Sequence, residues 1–203
     1  MKYRVIKVFF DILEPIIGGY ITYHIRPMFA DGVFIDSRDV EYDHSEYAIV
    51  LQGPICKSNN FTLETLALYK KYFHKALIIL STWEGEDEYC IEQAKNIGAE
   101  VIINKLPPRD LIIYKFGLQR NINLQIITSM AGIKRAAEAG KKYTLKIRTD
   151  ERLYNYNALL FMSNLLKKFP LTTLNHRQKG RLISINNTTR KFYYFPDTLV
   201  FGY

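Results

Sequence analysis

Cysteine, histidine and tryptophan are scarce in this 203-residue chain, and each scarcity removes a class of chemistry. The two cysteines, Cys56 and Cys90, have no metal-ligand spacing, so both are expected as reduced, small core residues of a cytoplasmic protein. The four histidines, His24, His44, His74 and His176, stand at no catalytic or ligating interval. There is no low-complexity tract, no internal repeat and no Gly-rich phosphate loop near the start, which counts against a nucleotidyltransferase. A long hydrophobic run is missing too. The apolar opening MKYRVIKVFFDILEPIIGGYITYHI is broken by Asp11, Glu14 and Pro15, and falls short of the roughly 20 apolar residues of a spanning helix. An amphipathic segment lying on the domain or at a membrane interface is expected there instead of a secretory signal.

Acidic residues are the remaining shortage. The formal net charge is +8, yet residues 1–50 carry five Lys/Arg against eight Asp/Glu, so the basic excess lies entirely beyond them. Such a balance suits a nucleotide diphosphate, an anionic membrane surface or nucleic acid, and does not choose among them. No basic run interleaved with aromatics marks a nucleic-acid surface, and none is expected as a partner. What the chain has in quantity is apolar and aromatic side chains: 48% of residues are hydrophobic, with 15 Tyr and 12 Phe. This is enough for one sizeable core, and flat rings also suit the C–H faces of sugars.

Strands and helices alternate. YAIVL (47–51) is a short apolar run stopped by Gln52-Gly53-Pro54, a buried strand and a turn. FTLETLALYKKYF (61–73) has helical periodicity, with Leu63, Leu66, Leu68 and Tyr69 as its buried candidates. Strands follow at 76–83, 99–105 and 142–150, and helices at 89–98, 123–140 (closed by Gly140) and about 157–168. LISI (182–185) and TLVFGY (198–203) look like later strands, the last an apolar edge that invites pairing. The expected fold is α/β, with a mostly parallel central sheet flanked by helices, over residues 47–203 and behind an amphipathic, acidic lead-in at 1–46.

Ligands of such sheets bind beyond the carboxyl ends of the strands. Four candidate sets fall there: Gln52-Gly53-Pro54, Ser81-Thr82-Trp83-Glu84, Asn104-Lys105 and Arg148-Thr149-Asp150. Gly53 would allow close approach of backbone to a phosphate, or simply make a turn. Trp83 could stack on a base or fill the core. Asn121, Asn123 and Gln125 flank a helix entrance, where they could meet an anion or serve as caps. The segment LKIRTDERLY (145–154) ends a half-buried strand in two carboxylates and two arginines, a mixture that suits a phosphate with or without a metal. A ligand-free Arg–Asp pair closing the strand is the plainer reading.

Together, IVLQGPI (49–55), FTLETL (61–66), ILSTWE (79–84), INK (103–105), NINLQI (121–126), LKIRTDERLY, RLI (181–183) and FG (201–202) resemble the WavE lipopolysaccharide synthesis family in order and spacing. The resemblance spans about residues 47–203. It implies a bacterial surface-polysaccharide glycosyltransferase of the GT-A type. Such an enzyme uses a nucleotide-diphospho-sugar donor and a lipid-linked or oligosaccharide acceptor, and works in the cytoplasm at the inner face of the membrane. Asp150 stands where such enzymes place the carboxylate that holds Mg²⁺ or Mn²⁺. The usual Asp-any-Asp pattern is absent, because Arg148 and Arg152 occupy the positions two before and two after. Charge neutralisation by arginine is therefore the alternative to a metal. Asp197 is the candidate general base for an inverting reaction. Only 53 residues follow Asp150, so a shortened chain that binds donor nucleotide but transfers poorly is a further expectation.

Overall fold

Six successive residues, Tyr47–Gln52, are all buried and form the central strand β1. A continuous apolar run of this kind is what a strand covered on both faces requires. Tyr47, Ile49 and Leu51 join the larger core, while Ala48 and Val50 join a second cluster on the other face. The computed structural model describes Phe9, Ile12, Ile16 and residues 42–108, 113–115, 118–120, 122–172, 180–185 and 198–203. The chain divides into two compact units, residues 1–31 and 32–203. In the first unit, Phe9, Ile12 and Ile16 are helical and exposed. Among the described residues no helix is long and apolar enough to cross a membrane.

The second unit runs β1, α1 (Phe61–Tyr72), β2 (Leu77–Trp83), α2 (Glu88–Asn96), β3 (Glu100–Asn104), β4 (Ile113–Lys115) and β5 (Leu118–Arg120). It continues through α3 (Ile122–Glu138), β6 (Tyr143–Arg148), α4 (Ala158–Lys168), β7 (Ile183–Ser184) and β8 (Leu199–Gly202). The main sheet has the order β3-β2-β1-β6-β8-β7. Its first four strands are parallel, and β8 runs antiparallel to both β6 and β7. The expected mixed architecture with a largely parallel sheet is therefore present.

Two expectations change, and one element is new. TLVFGY does not supply an exposed edge: β8 is paired on both sides, and the two-residue β7 lies outside it. The buried face of α1 is Thr62, Thr65, Leu66 and Tyr69, with Leu68 only half-buried. Hydroxyls can replace leucine at such positions because both threonines find hydrogen-bond partners. The small antiparallel β4–β5 pair, separate from the main sheet, was not expected at all.

Helix α3 packs across β1, β2 and β3 through Thr128, Gly132 and Ala136. A Cβ on Gly132 would collide with the Val50 side chain, so glycine sets the helix-to-sheet distance. Helix α2 starts at Asp87, whose carboxylate accepts from Tyr89 N and Cys90 N, a side-chain N-cap.

Candidate functional site

Strand order makes the first statement about the site. The chain steps from β1 outward to β2 and β3, then returns to the other side of β1 as β6. The crevice beyond the carboxyl ends of β1 and β6 is therefore the topological switch point, where parallel sheets take ligands. Gln52 ends β1 in register with both Ser81 and Arg148. Consequently Gln52-Gly53-Pro54 and Arg148-Thr149-Asp150 leave the sheet side by side.

Thr149, which is buried, fastens the two loops together. Its N–H donates to Gln52 O at 3.1 Å, its hydroxyl donates to Pro54 O at 2.5 Å, and its carbonyl accepts from Thr62 Oγ1 at 3.0 Å. Gly53 N donates to Ser81 O at 3.0 Å. Gly53 has φ +117°, a region disfavoured for side chains, and a Cβ there would meet Thr149 Oγ1 at 3.3 Å. The result is a short stretch of backbone held against β6 with no side chain of its own.

Arg148 and Asp150 stand beside it. The guanidinium donates twice to the carboxylate, Nε to Oδ1 at 2.8 Å and Nη2 to Oδ2 at 2.5 Å. Both side chains are more than one-third exposed, at 38% and 44%. Solvent-exposed pairs of this kind contribute about 0–1 kcal/mol, so an arriving phosphate or cation can separate them at little cost. Arg152 is committed elsewhere. Its Nε donates to Thr65 Oγ1 at 2.7 Å, its Nη2 to Phe61 O at 2.9 Å, and the guanidinium lies 4.3 Å from the centre of the Phe61 ring. It clamps the start of α1 to the segment after β6.

The β2 and β3 ends form the other half of the rim. Asn104 Nδ2 donates to Ser81 Oγ at 3.0 Å and to Thr82 O at 2.8 Å. Glu86 Oε1 accepts from Ile55 N at 3.1 Å and from Thr82 Oγ1 at 3.4 Å, bridging the β1 loop to β2. Glu84 Oε1 accepts from Leu106 N at 3.3 Å. Lys105 is exposed. Trp83 is buried, so its ring fills the rim and does not stand free in solvent. From α3, Thr128 Oγ1 lies 2.7 Å from Gln52 Oε1, bringing the first turns of that helix to the same crevice. Asn123 and Gln125 are half-buried on those turns. Asn121 and Asp197 lie outside the described residues.

The structure thus brings Gln52, Gly53, Pro54, Thr82, Asn104, Arg148 and Asp150 to one rim. Sequence reasoning placed Thr149 on the rim without its fastening role, and passed over Thr62, Thr128 and Glu86, which help hold the rim together. It also passed over Lys146, buried on the same face of β6 as Arg148. The alternation Leu145-Lys146-Ile147-Arg148 carried that signal.

As for a metal, the described residues contain no group of three or more His, Cys, Asp or Glu able to hold one. Asp150 offers a single carboxylate, both oxygens of which accept from Arg148. One carboxylate fits a hard cation whose remaining ligands are phosphate and water.

The model of the WavE lipopolysaccharide synthesis family matches residues 47–197, most of the chain and the whole of this rim. No curated protein matches. The chain belongs to the WavE family, whose description ties it to lipopolysaccharide synthesis.

Proposed function

We propose that the chain is a glycosyltransferase that moves a sugar from a nucleotide-diphospho-sugar to a lipopolysaccharide or other surface-glycan acceptor. The observation that carries this reading is the switch-point crevice, where side-chain-free backbone at Gly53 adjoins the separable Arg148–Asp150 pair. Negative charge builds on the departing diphosphate as the anomeric C–O bond breaks, and preorganised cations lower that barrier most. Arg148 turns from Asp150 to the phosphate oxygens, a contact its planar fork makes bidentately. Asp150, once released, is the residue that would hold Mg²⁺ or Mn²⁺. The cation would supply further charge neutralisation on the diphosphate.

The nucleoside extends toward β2 and β3. Strands lie about 4.8 Å apart, so the four strand ends span about 14 Å, enough for a nucleoside diphosphate. Thr82, Glu84, Asn104 and Lys105 are its candidate contacts, with Gln52 and Pro54 beneath the phosphates. Asn123 and Gln125, with Asn121 next to them in sequence, would border the sugar from α3. Arg152 acts by positioning α1, and Asp197 is the candidate general base for an acceptor hydroxyl.

A thermal-shift panel of nucleoside mono- and diphosphates and nucleotide sugars, with and without Mn²⁺, tests the reading. A ligand at about 100 times its Kd stabilises by about 2.7 kcal/mol, which is roughly 5–10 °C for a domain of this size. Diphosphates should outperform monophosphates, and Arg148→Ala should remove that difference. Asp150→Ala should remove the Mn²⁺ increment and lower turnover at least 100-fold. Absence of a shift with every diphosphate would refute the reading.

A further inference from the structure

Beside its core face, helix α1 carries a second stripe of side chains. Phe61, Thr65, Leu68 and Tyr72 fall within an arc of about 60°. The segment after β6 runs along this stripe. Arg152 reaches Thr65 Oγ1 and Phe61 O near the start of α1. The Tyr156 ring lies edge-on to that of Tyr72 at the last residue of the helix, with centres 6.3 Å apart. Between these contacts the backbone is fixed. Leu153 N donates to Tyr69 Oη at 2.7 Å, Asn157 N to Asn155 Oδ1 at 2.8 Å, and Ala158 N to Asn155 O at 3.0 Å. Two rings stand out from this anchored segment: Tyr154 is 60% exposed and Tyr156 45%. Phe61 and Tyr72 are half-buried beside them. The Arg152 guanidinium joins the rings, 4.3 Å from the centre of Phe61 and 5.8 Å from that of Tyr154.

Single exposed apolar residues need no explanation. Rings gathered on a backbone that cannot give way are different: they form a pre-organised surface, and tyrosine loses little side-chain entropy on binding. Chemistry and position choose the occupant. Ring faces meet the C–H faces of sugars, and tyrosine adds a polar tip for their hydroxyls. Glu64, exposed and 3.5 Å from Arg152, offers carboxylate oxygens to further hydroxyls. Arg152 is the one cation among these side chains and it faces Glu64, so they supply no net positive charge for a nucleic-acid backbone. The strip also begins where the rim ends. Thr62, next to Phe61, donates to Thr149 O at 3.0 Å. Tyr154 follows Asp150 by four residues, at most about 14 Å of chain. The strip thus adjoins the β1 and β6 ends of the rim, whereas the nucleoside is assigned to the β2 and β3 ends.

We infer that Phe61, Tyr72, Tyr154 and Tyr156, with Glu64, form a saccharide-binding strip that holds the neutral sugar rings of the acceptor glycan beside the crevice. The acceptor role rests on the glycosyltransferase reading. Saccharide binding itself does not, and is measured without nucleotide.

Calorimetric titration of the full chain with dephosphorylated core oligosaccharide, released from lipopolysaccharide by mild acid, tests this. The wild type should bind it with a Kd that high salt changes by less than about twofold, because stacking on neutral rings is not screened. Tyr154→Ala/Tyr156→Ala should bind about tenfold more weakly or worse, with Tm nearly unchanged because both side chains are largely exposed. Tyr154→Phe/Tyr156→Phe should stay within about threefold of wild type. A separate titration with a nucleoside diphosphate reports on the donor crevice and should be the same for wild type and the alanine variant. Absence of saccharide binding by the wild type overturns the inference, as does equal binding by the alanine variant or a Kd that weakens steeply with salt. So does loss of nucleoside diphosphate binding in that variant with saccharide binding intact, which would give the rings to the donor base. A wild-type dimer that the variant converts to monomer would give them to a second copy and overturns it too. Saccharide binding by a protein that takes no nucleoside diphosphate would keep the strip and remove the donor reading.

Discussion

Individual side chains in this protein divide into those that can move at little cost and those that cannot. Arg148 and Asp150 belong to the first group: a half-exposed pair is cheap to open, so their substitution should act on ligand binding far more than on stability. His44 belongs to the second. It is buried among Tyr42, Tyr47 and Phe73, with ring centres 5.0–5.8 Å away, and its Nδ1 has no hydrogen-bond partner among the described residues. Burial holds its imidazole below the ordinary value of about 6.5, outweighing the opposing pull of the His74 backbone and Asp43. The unfolded chain therefore binds a proton at pH values where the native state does not. Stability is complete above about pH 6.5 and declines as pH falls from there to the native pKa of His44, by at most about 1.4 kcal/mol per unit. Thermal unfolding followed from pH 7.5 to 5 should show this slope in Tm, and His44→Gln should flatten it while lowering the plateau. A wild-type Tm constant across that window would exclude a neutral buried His44.

Elements were legible where periodicity had one cause and illegible where partners lay far along the chain. The apolar runs of β1, β2 and β6 could be read because both faces of a central parallel strand are covered. Their ends then marked the rim, and Gly53, Arg148 and Asp150 were legible from position alone. Thr149 was legible there too, but its fastening role was not, since that depends on Pro54, 95 residues away, and on Thr62, 87 residues away. Arg152 stood beside the right residues in sequence but points to α1, which no local pattern reveals. The antiparallel direction of β8 was equally hidden, because strand composition does not encode direction. Gly132 shows the limit of propensity reasoning at this scale. Alanine is the better helix former by about 1 kcal/mol, yet a Cβ at this point of α3 strikes Val50 on β1. Overpacking costs typically about 1–3 kcal/mol, so Gly132→Ala should lower stability in denaturant titration by a net of up to about 2 kcal/mol. Gly140→Ala at the end of the same helix offers a contrast, with open space around it and strain from φ +70° alone. A stabilised Gly132→Ala would mean that α3 shifts freely on the sheet.

Across the second unit, core and candidate site share one strand but occupy its opposite ends. Tyr143 opens β6 within an aromatic stack: its ring lies 5.8 Å from that of Phe201 and 5.4 Å from that of Tyr47, both nearly parallel to it. Tyr47 in turn donates its hydroxyl to Ser163 Oγ on α4 at 3.0 Å, and burial pushes its phenol well above the ordinary range. One cluster thus joins β1, β6, β8 and α4. Arg148 closes β6 five residues later, about 16 Å along the strand. Phe201→Ala removes a fully buried ring from this cluster, a change that typically costs about 3–5 kcal/mol. At about 2–4 °C per kcal/mol for a domain of this size, Tm should fall by roughly 10 °C or more. The cavity forms at the amino end of β6, whereas Gly53, Thr149 and Arg148 are fixed at the carboxyl end by hydrogen bonds that Phe201 does not touch. Calorimetric titration of a nucleoside diphosphate, well below the lowered Tm, should therefore give a Kd within about threefold of wild type, since sites this far apart without shared partners behave nearly additively. A tenfold weaker Kd in the folded variant would show instead that the aromatic stack sets the geometry of the rim.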